Sequence, residues 1–265
     1  MDNVKVICLV GIAIIACLCP GCGPAGDPTL EETIEHSYPV ESDATLSITN
    51  RDGSICVYGA GDDTRQVRVE AIKKAYKLER LKAISVNVTA NRNSIAIETN
   101  YPSDSTPSFS DRSGTVDYVI VVPQSVRISK LQLANGEVLL EEMRSTEARA
   151  NLGNGRLFAH NCFGNLDLHV QTGNLAIVYE WWEESEFSGR CTIDDGNAFA
   201  YIPSDAAFHL VAHTAIGKIG NDFEEKEERH AELENKVDMV VGGDTKTLFQ
   251  FETQDGNIEI SSHNP

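Results

Sequence analysis

Leu131-Gln132-Leu133-Ala134-Asn135-Gly136-Glu137-Val138-Leu139-Leu140 sets apolar side chains five and three residues before a glycine and two and four residues after it. The same frame returns around Gly155, Gly173, Gly196 and Gly217, at spacings of 19, 18, 23 and 21, and around Gly256, 39 residues further on. Five before each glycine stand Leu131, Ala150, Leu168, Cys191, Ala212 and Phe251; three before, Leu133, Leu152, Val170, Ile193, Thr214 and Thr253. Two after stand Val138, Leu157, Leu175, Ala198, Ile219 and Ile258; four after, Leu140, Ala159, Ile177, Ala200, Asn221 and Ile260. Alternation of period two on both sides of a glycine reads as strand, tight turn, strand, with every second side chain directed to one interior. Glycine suits the turn because it accepts positive φ at no steric cost. A single unit cannot bury its own apolar face, so units must stack and share a core. The expected fold is all-β: a β-solenoid, or a related rolled antiparallel-type sheet, with repeats of about 20 residues.

Upstream of these repeats, residues 29–123 form a more ordinary β region. Alternating strands are expected at 45–48, 54–58, 67–72, 84–88, 94–98 and 116–122. Asp52-Gly53 followed by Ile55 and Val57 copies the turn pattern, so this region is a candidate first rung carrying an insertion. Ser, Pro and Asp dominate residues 101–114, which predicts a mobile loop. The repeats occupy 124–265, interrupted by an acidic insertion at 222–236 whose composition suits a short exposed helix or a solvated loop.

The start of the chain reads as a leader rather than as fold. Thirteen apolar-rich residues, 6–18, suit a secretory h-region and are too few to span a bilayer. A small residue before a cysteine closes that stretch twice, at Ala16-Cys17 and Gly21-Cys22, as in the lipobox where the thiol is acylated and becomes the new N-terminus. Cys22 is the preferred lipidation site, giving a lipoprotein-type signal peptide at 1–21 and a linker at 22–28; Cys17 is the alternative, and a plain cleaved signal peptide is the simpler reading. The whole chain of 265 residues carries 22 Lys+Arg against 40 Asp+Glu, net −18. Such a surface repels nucleic-acid phosphates and anionic headgroups, so neither a nucleic-acid partner nor a polybasic membrane-surface role is expected. Membrane attachment is expected through the lipid anchor only. Beyond the leader only Cys56, Cys162 and Cys191 remain, an odd number that cannot form a full disulfide framework, and no C-x-x-C is present there.

Several segments taken in order resemble the bacterial putative-adhesin β-solenoid family. They are Leu46-Ser47-Ile48 with Gly53-Ser54-Ile55, then Val67-Arg68-Val69-Glu70-Ala71, then Val116-Asp117-Tyr118-Val119-Ile120-Val121-Val122-Pro123. The ending, Gly242-Gly243, Phe249-Gln250-Phe251-Glu252-Thr253 and Gly256-Asn257-Ile258-Glu259-Ile260, resembles that family too. The resemblance covers residues 29–261; the Trp181-Trp182 segment and the acidic insertion depart from it. It implies an envelope-exposed β domain and brings no catalytic residues.

Each candidate site also has a plainer role. Asp194 and Asp195 are the obvious carboxylate pair for glycan chemistry. Asp195, however, holds the pre-glycine position taken by Asn135, Asn154 and Asp255, which marks a turn former. His169 and His213 both point outward two repeats apart, about 10 Å, too far to share a metal. Gly242-Gly243-Asp244 occurs once, whereas calcium-binding Gly-Gly repeats come in tandem. Cys191 falls on an inward position as a small hydrophobe. The acidic run Asp222, Glu224, Glu225, Glu227, Glu228, Glu232 and Glu234 reads as a solvated face. No metal or other cofactor is expected.

One asymmetry points to function. Outward positions before the turn are polar (Lys130, Gln132, Arg149, Asn151, Asp167, His169, Arg190 and Thr192). After the turn they include Leu139, Phe158, Ala176 with Val178, and Phe199 with Tyr201. Strands apolar on both faces are either covered on both or mark a partner site. Trp181 and Trp182 end one such strand, where they enlarge that patch, stack on sugar rings, or pack a solenoid corner. The expected protein is a non-catalytic, adhesin-like binding or scaffolding module of the bacterial cell envelope, whose partner is an envelope protein or a glycan. A glycan-acting β-helix enzyme and a purely structural spacer are the alternatives.

Overall fold

A computed structural model describes residues 29–61, 63–102, 114–223 and 235–264. The leader with Cys17 and Cys22, residues 103–113 of the expected loop, and the acidic run from Glu224 to Glu234 lie outside the described residues.

The elements follow as β1 (Leu30–Pro39), β2 (Thr45–Ala60), β3 (Gln66–Ala75), α1 (Leu78–Ala83), β4 (Ser85–Asn91), β5 (Ser94–Asn100), β6 (Thr115–Pro123) and β7 (Arg127–Glu141). Then come β8 (Ala148–His160), β9 (Leu166–Val178), β10 (Ser188–Pro203), β11 (Phe208–Ile216), β12 (Ile219–Asn221), β13 (Lys236–Val241), β14 (Leu248–Asp255) and β15 (Ile258–His263). The protein is all-β, one mixed sheet that does not close, ordered β1-β3-β6-β2-β7-β8-β9-β10-β14-β11-β13.

In β7, both Leu133 and Val138 are buried, as are Leu131 and Leu140. In a straight strand, residues five apart face opposite sides. Burying all four therefore requires the strand to fold over the core at Gly136, so that its two halves belong to two facing layers. The same holds in β8, β9 and β10, where the five-before, three-before, two-after and four-after residues are all buried. Where threonine takes an inward position, its hydroxyl is satisfied: Thr214 and Thr253 both donate to the carbonyl of Gly256, at 2.8 and 3.1 Å.

This geometry corrects the expected tight turn. None of the glycines is a hairpin tip: at Gly217 and Gly256 the corner separates two strands, and at Gly136, Gly155, Gly173 and Gly196 it lies inside one continuous strand. The two halves of such a strand pair with the matching halves of the next, in parallel, with Gly53 opposite Gly136, Gly136 opposite Gly155, and Gly155 opposite Gly173. Antiparallel pairing, expected of a rolled sheet, is confined to the ends: β1 with β3, β3 with β6, β4 with β5, and β11 with β13. The corner is restrictive because the backbones stack closely there. A Cβ on Gly155, whose φ is +136°, would overlap the carbonyl oxygen of Gly136.

A second correction concerns order. The last segment in sequence is not the last in space: β14 lies between β10 and β11, with Phe251 opposite both Cys191 and Ala212. Likewise β15 lies between β10 and β12. His169 and His213 are consequently three strand spacings apart, about 14 Å rather than 10 Å.

At the other end the layers part company. The pre-glycine half of β2 continues into β5 and β4, and its post-glycine half into β6, β3 and β1. Strand β1 and helix α1 were not expected from sequence. They are joined by Lys73, whose buried Nζ donates to the carbonyls of Leu81 (3.3 Å) and Ile84 (3.2 Å) and pairs with Glu32 at 2.9 Å. The expected helix or loop at 223–236 falls almost wholly outside the described residues, which resume just before β13.

Candidate functional site: the post-glycine face

Strand register places one outward residue of each post-glycine half in line. The row runs Val119, Cys56, Leu139, Phe158, Ala176 and Phe199, and ends at Glu259. Six apolar side chains on six neighbouring strands, spaced about 4.8 Å apart, make a stripe roughly 24 Å long. All six are half-buried. A second row beside it carries Val121, Tyr58, Glu141, His160, Val178 and Tyr201, the last 43% exposed. On the opposite flank stand Ser54, Glu137, Arg156, Asn174 and Asn197. The stripe is thus apolar with a polar margin.

Charges at that margin are paired. Arg156 binds Glu137. His160 stacks on Phe158 with ring centroids 5.9 Å apart, and its Nδ1 and Nε2 each lie 3.4 Å from a carboxylate, Glu141 and Glu180. Burial raises the Cys56 thiol above its ordinary range. The strands of residues 29–123 extend the two layers at one end of the stack instead of crossing this face.

The tryptophans sit past the end of β9. Trp182 packs among Tyr179, Phe187, Phe208 and Phe249, with centroids 5.7 to 6.3 Å away. Trp181 is 38% exposed but fixed: its ring lies 5.8 Å from Phe163, and its indole N–H donates to Glu183 at 2.9 Å. Arg144 donates two further bonds to the same carboxylate, 2.5 and 2.7 Å, and lies over the Phe163 ring. These bonds from Arg144 hold the Glu183 carboxyl below its usual range.

The polar pre-glycine face holds a shallow concavity of about 430 Å3 lined by Arg127, Glu147, Arg149, Asp167, Arg190 and Gln250, among others. Its two carboxylates both face Arg149, Glu147 at 3.0 Å and Asp167 at 3.8 Å. Asp194 bonds His169 at 3.2 Å, whereas Asp195 stands at the corner between Thr172 and Asp255. Among the described residues no group of three or more His, Cys, Asp or Glu is placed to hold a metal. Gly242-Gly243 follows β13 with positive φ at both residues, and the Asp222 carboxylate accepts from the Ser262 amide at 3.3 Å. Cys191 is fully buried, and burial pushes the Cys162 thiol up to about 12.

Sequence reading missed an amide ladder along the corner. Asn135 donates to Asp52 (2.8 Å) and Asn154 to Asn135 (3.1 Å), while Asn197 and Asn257 accept the backbone N–H of Asn257 and Lys218 respectively, each at 3.0 Å. Asparagine recurring beside the glycines was the available signal.

No helix among the described residues is long and apolar enough to cross a membrane. No family model matches the sequence, and no curated protein matches it. The structure is similar to that of a putative cell adhesion protein from Clostridium sporogenes ATCC 15579, with a TM-score of 0.51 and 14% identity, over 87% of this chain and 100% of that one. Other matches are a putative adhesin from Bacteroides fragilis NCTC 9343 (TM-score 0.26, 9% identity, 86% and 97% covered) and a putative lipid binding protein from Parabacteroides distasonis ATCC 8503 (0.37, 8%, 88% and 95%). At 14% identity, the likeness to the Clostridium protein is one of fold.

Proposed function

We propose that this chain is an exported bacterial envelope protein, lipid-anchored through Cys22 or Cys17, whose β-solenoid body binds or scaffolds and does not catalyse. The stripe from Val119 to Phe199 is its contact surface. The observation that carries the reading is that stripe: six apolar residues, only half-buried, on adjacent strands that are already apolar on their inner side. The solenoid reading draws support from the in-register stacking of the corner glycines, and the adhesin-like one from the name of the Clostridium protein that shares the fold. Against a glycan-acting enzyme stands the concavity, whose two carboxylates are both ion-paired to one arginine.

The test compares residues 23–265 with the Phe158→Asp/Phe199→Asp double variant as bait in envelope extract, after circular dichroism has shown both to be folded. Specific partners captured by the wild type and lost by the folded variant are the expected result. An identical set captured by both, or nothing captured by either, would remove this face from consideration and favour a structural spacer.

A further inference from the structure

The opposite end of the molecule carries a patch unlike the rest of it. Residues 73–82, Lys-Lys-Ala-Tyr-Lys-Leu-Glu-Arg-Leu-Lys, hold five cations and one anion in a chain whose net charge is −18. Two of the cations are consumed: Lys73 by Glu32 at 2.9 Å, and Lys74 by Asp117 at 3.0 Å. Lys77 and Lys82 are exposed and have no ion pair among the described residues. Beside them project two large apolar side chains, Tyr76 at 57% and Leu78 at 53% exposure. Exposed apolar tips flanked by lysines are the composition of a bilayer interface: the apolar parts enter the headgroup boundary and the ammonium groups reach anionic phosphates.

Position supplies the second argument. Leu30, the first residue of β1, pairs with Ala75, so the chain arriving from the leader enters the fold beside this patch. From Cys22 to Leu30 the chain reaches at most roughly 28 Å even when fully extended. An anchor at Cys22 therefore holds Tyr76, Lys77, Leu78 and Lys82 close to the bilayer. The overall negative charge does not forbid contact, because at physiological salt its influence fades within about 8 Å. Only the end nearest the headgroups feels them.

We propose that Tyr76, Lys77, Leu78 and Lys82 form a membrane-contact patch that seats this end of the molecule on an anionic phospholipid surface. The β13 end is then directed outward, and the stripe runs away from the membrane. The inference rests on the lipid-anchored reading, and its test keeps the two apart.

All described strands and core side chains lie between Leu30 and His263, so residues 22–265 retain the fold. That chain, carrying Cys56→Ser, is coupled through Cys22 to a maleimide lipid, and neutron reflectivity measures its height above the bilayer. Contact with no hydrated gap on bilayers containing phosphatidylglycerol, and a gap on pure phosphatidylcholine, is expected. Lys77→Glu with Lys82→Glu should open a gap on the phosphatidylglycerol bilayer and leave the one on phosphatidylcholine in place, since each lysine near a charged surface changes the contact equilibrium by about fivefold. Both substitutions are at exposed positions, and an unchanged thermal midpoint confirms the fold. A gap for the wild type on phosphatidylglycerol, or equal contact by the double variant, overturns the proposal. A wild type held off both bilayers that captures an envelope protein the variant loses overturns it in favour of a protein partner. Separately, Cys22→Ser in the full chain, followed by cell fractionation, tests the anchor itself; its failure leaves the coupled-chain result standing.

Discussion

Replacing Gly155 by alanine tests the corner that organises the fold. Two costs add. A φ of +136° is a region that L-residues scarcely visit, worth about 1–3 kcal/mol of backbone strain. The new Cβ would also sit far inside the 3.0 Å that real Cβ atoms respect, against the carbonyl oxygen of Gly136. That oxygen belongs to a stacked backbone and cannot swing aside, so β7 and β8 must separate locally. Losing about two ladder hydrogen bonds costs about 1 kcal/mol each. The expected loss is about 3–5 kcal/mol, a large share of the 5–15 kcal/mol typical of a folded domain. Two controls divide the terms. Gly243 has a φ of +99° with nothing within 4 Å of a built Cβ, so Gly243→Ala should cost strain alone, about 1–2 kcal/mol. Gly61 has open space and no positive φ, so Gly61→Ala should change stability by less than about 0.5 kcal/mol. Urea unfolding of residues 23–265, followed by circular dichroism, supplies all three values. If Gly155→Ala costs no more than Gly243→Ala, the stacked-corner argument is wrong.

Three further outcomes follow from buried and paired groups. Of the three cysteines in the body, Cys56 is half-buried and Cys162 and Cys191 are buried, so a thiol reagent should modify one site in the native protein and three in denaturant; rapid native reaction of a second site would contradict the packing. Burial raises Cys162 from 9.0 and Tyr118 from 10.0, each to about 12, so the unfolded chain releases these protons first. Stability should therefore be complete below about pH 9 and decline as pH rises from 9 towards 12, and a urea midpoint that stays flat across that range would refute it. Glu183 behaves oppositely: its carboxyl, lowered by Arg144, contributes stability above its ordinary value of 4.5 that is lost as pH falls below it. With both side chains about a third exposed, Glu183→Gln should remove less than about 1 kcal/mol and flatten that part of the acid limb, as read from urea midpoints against pH.

The inward residues were legible because burial leaves a period-two trace: Leu131, Leu133, Val138 and Leu140 were assigned from spacing alone and are all buried. What the spacing could not carry was the partner of each strand. A corner and a hairpin both flip the parity of inward residues at a glycine, and only the neighbour's register tells them apart. The displacement of β14 and β15 into the middle of the stack leaves no local trace at all, since every turn there obeys the same pattern. Strand β1 was missed because its side chains are half-buried and exposed in alternation, with Glu31, Glu32 and Glu35 among them. Lys73 reads as a surface charge until α1 and β1 close over it. The apolar stripe was legible residue by residue, as the outward set Leu139, Phe158, Ala176 and Phe199. Its extension to Cys56 and Val119 needed the register of β2 and β6.

The placement of β14 and β15 also sets an order in time. Strands β7 to β10 each dock on a predecessor already made, beginning with β7 on β2, so the stack can grow as the chain is delivered from its N-terminal end. At β10 that growth must pause. Strand β11 can pair with β13, but neither they nor β12 can join the stack until residues 248–263 arrive and seat themselves on β10. The C-terminal segment acts as a keystone: a chain lacking it loses the attachment of β11, β12 and β13 as well, and leaves both layers of β10 with open edges. Arrival of residues 248–263 and attachment of the strands beyond β10 are thereby one event, and a chain lacking those residues is marked by an unpaired edge on β10.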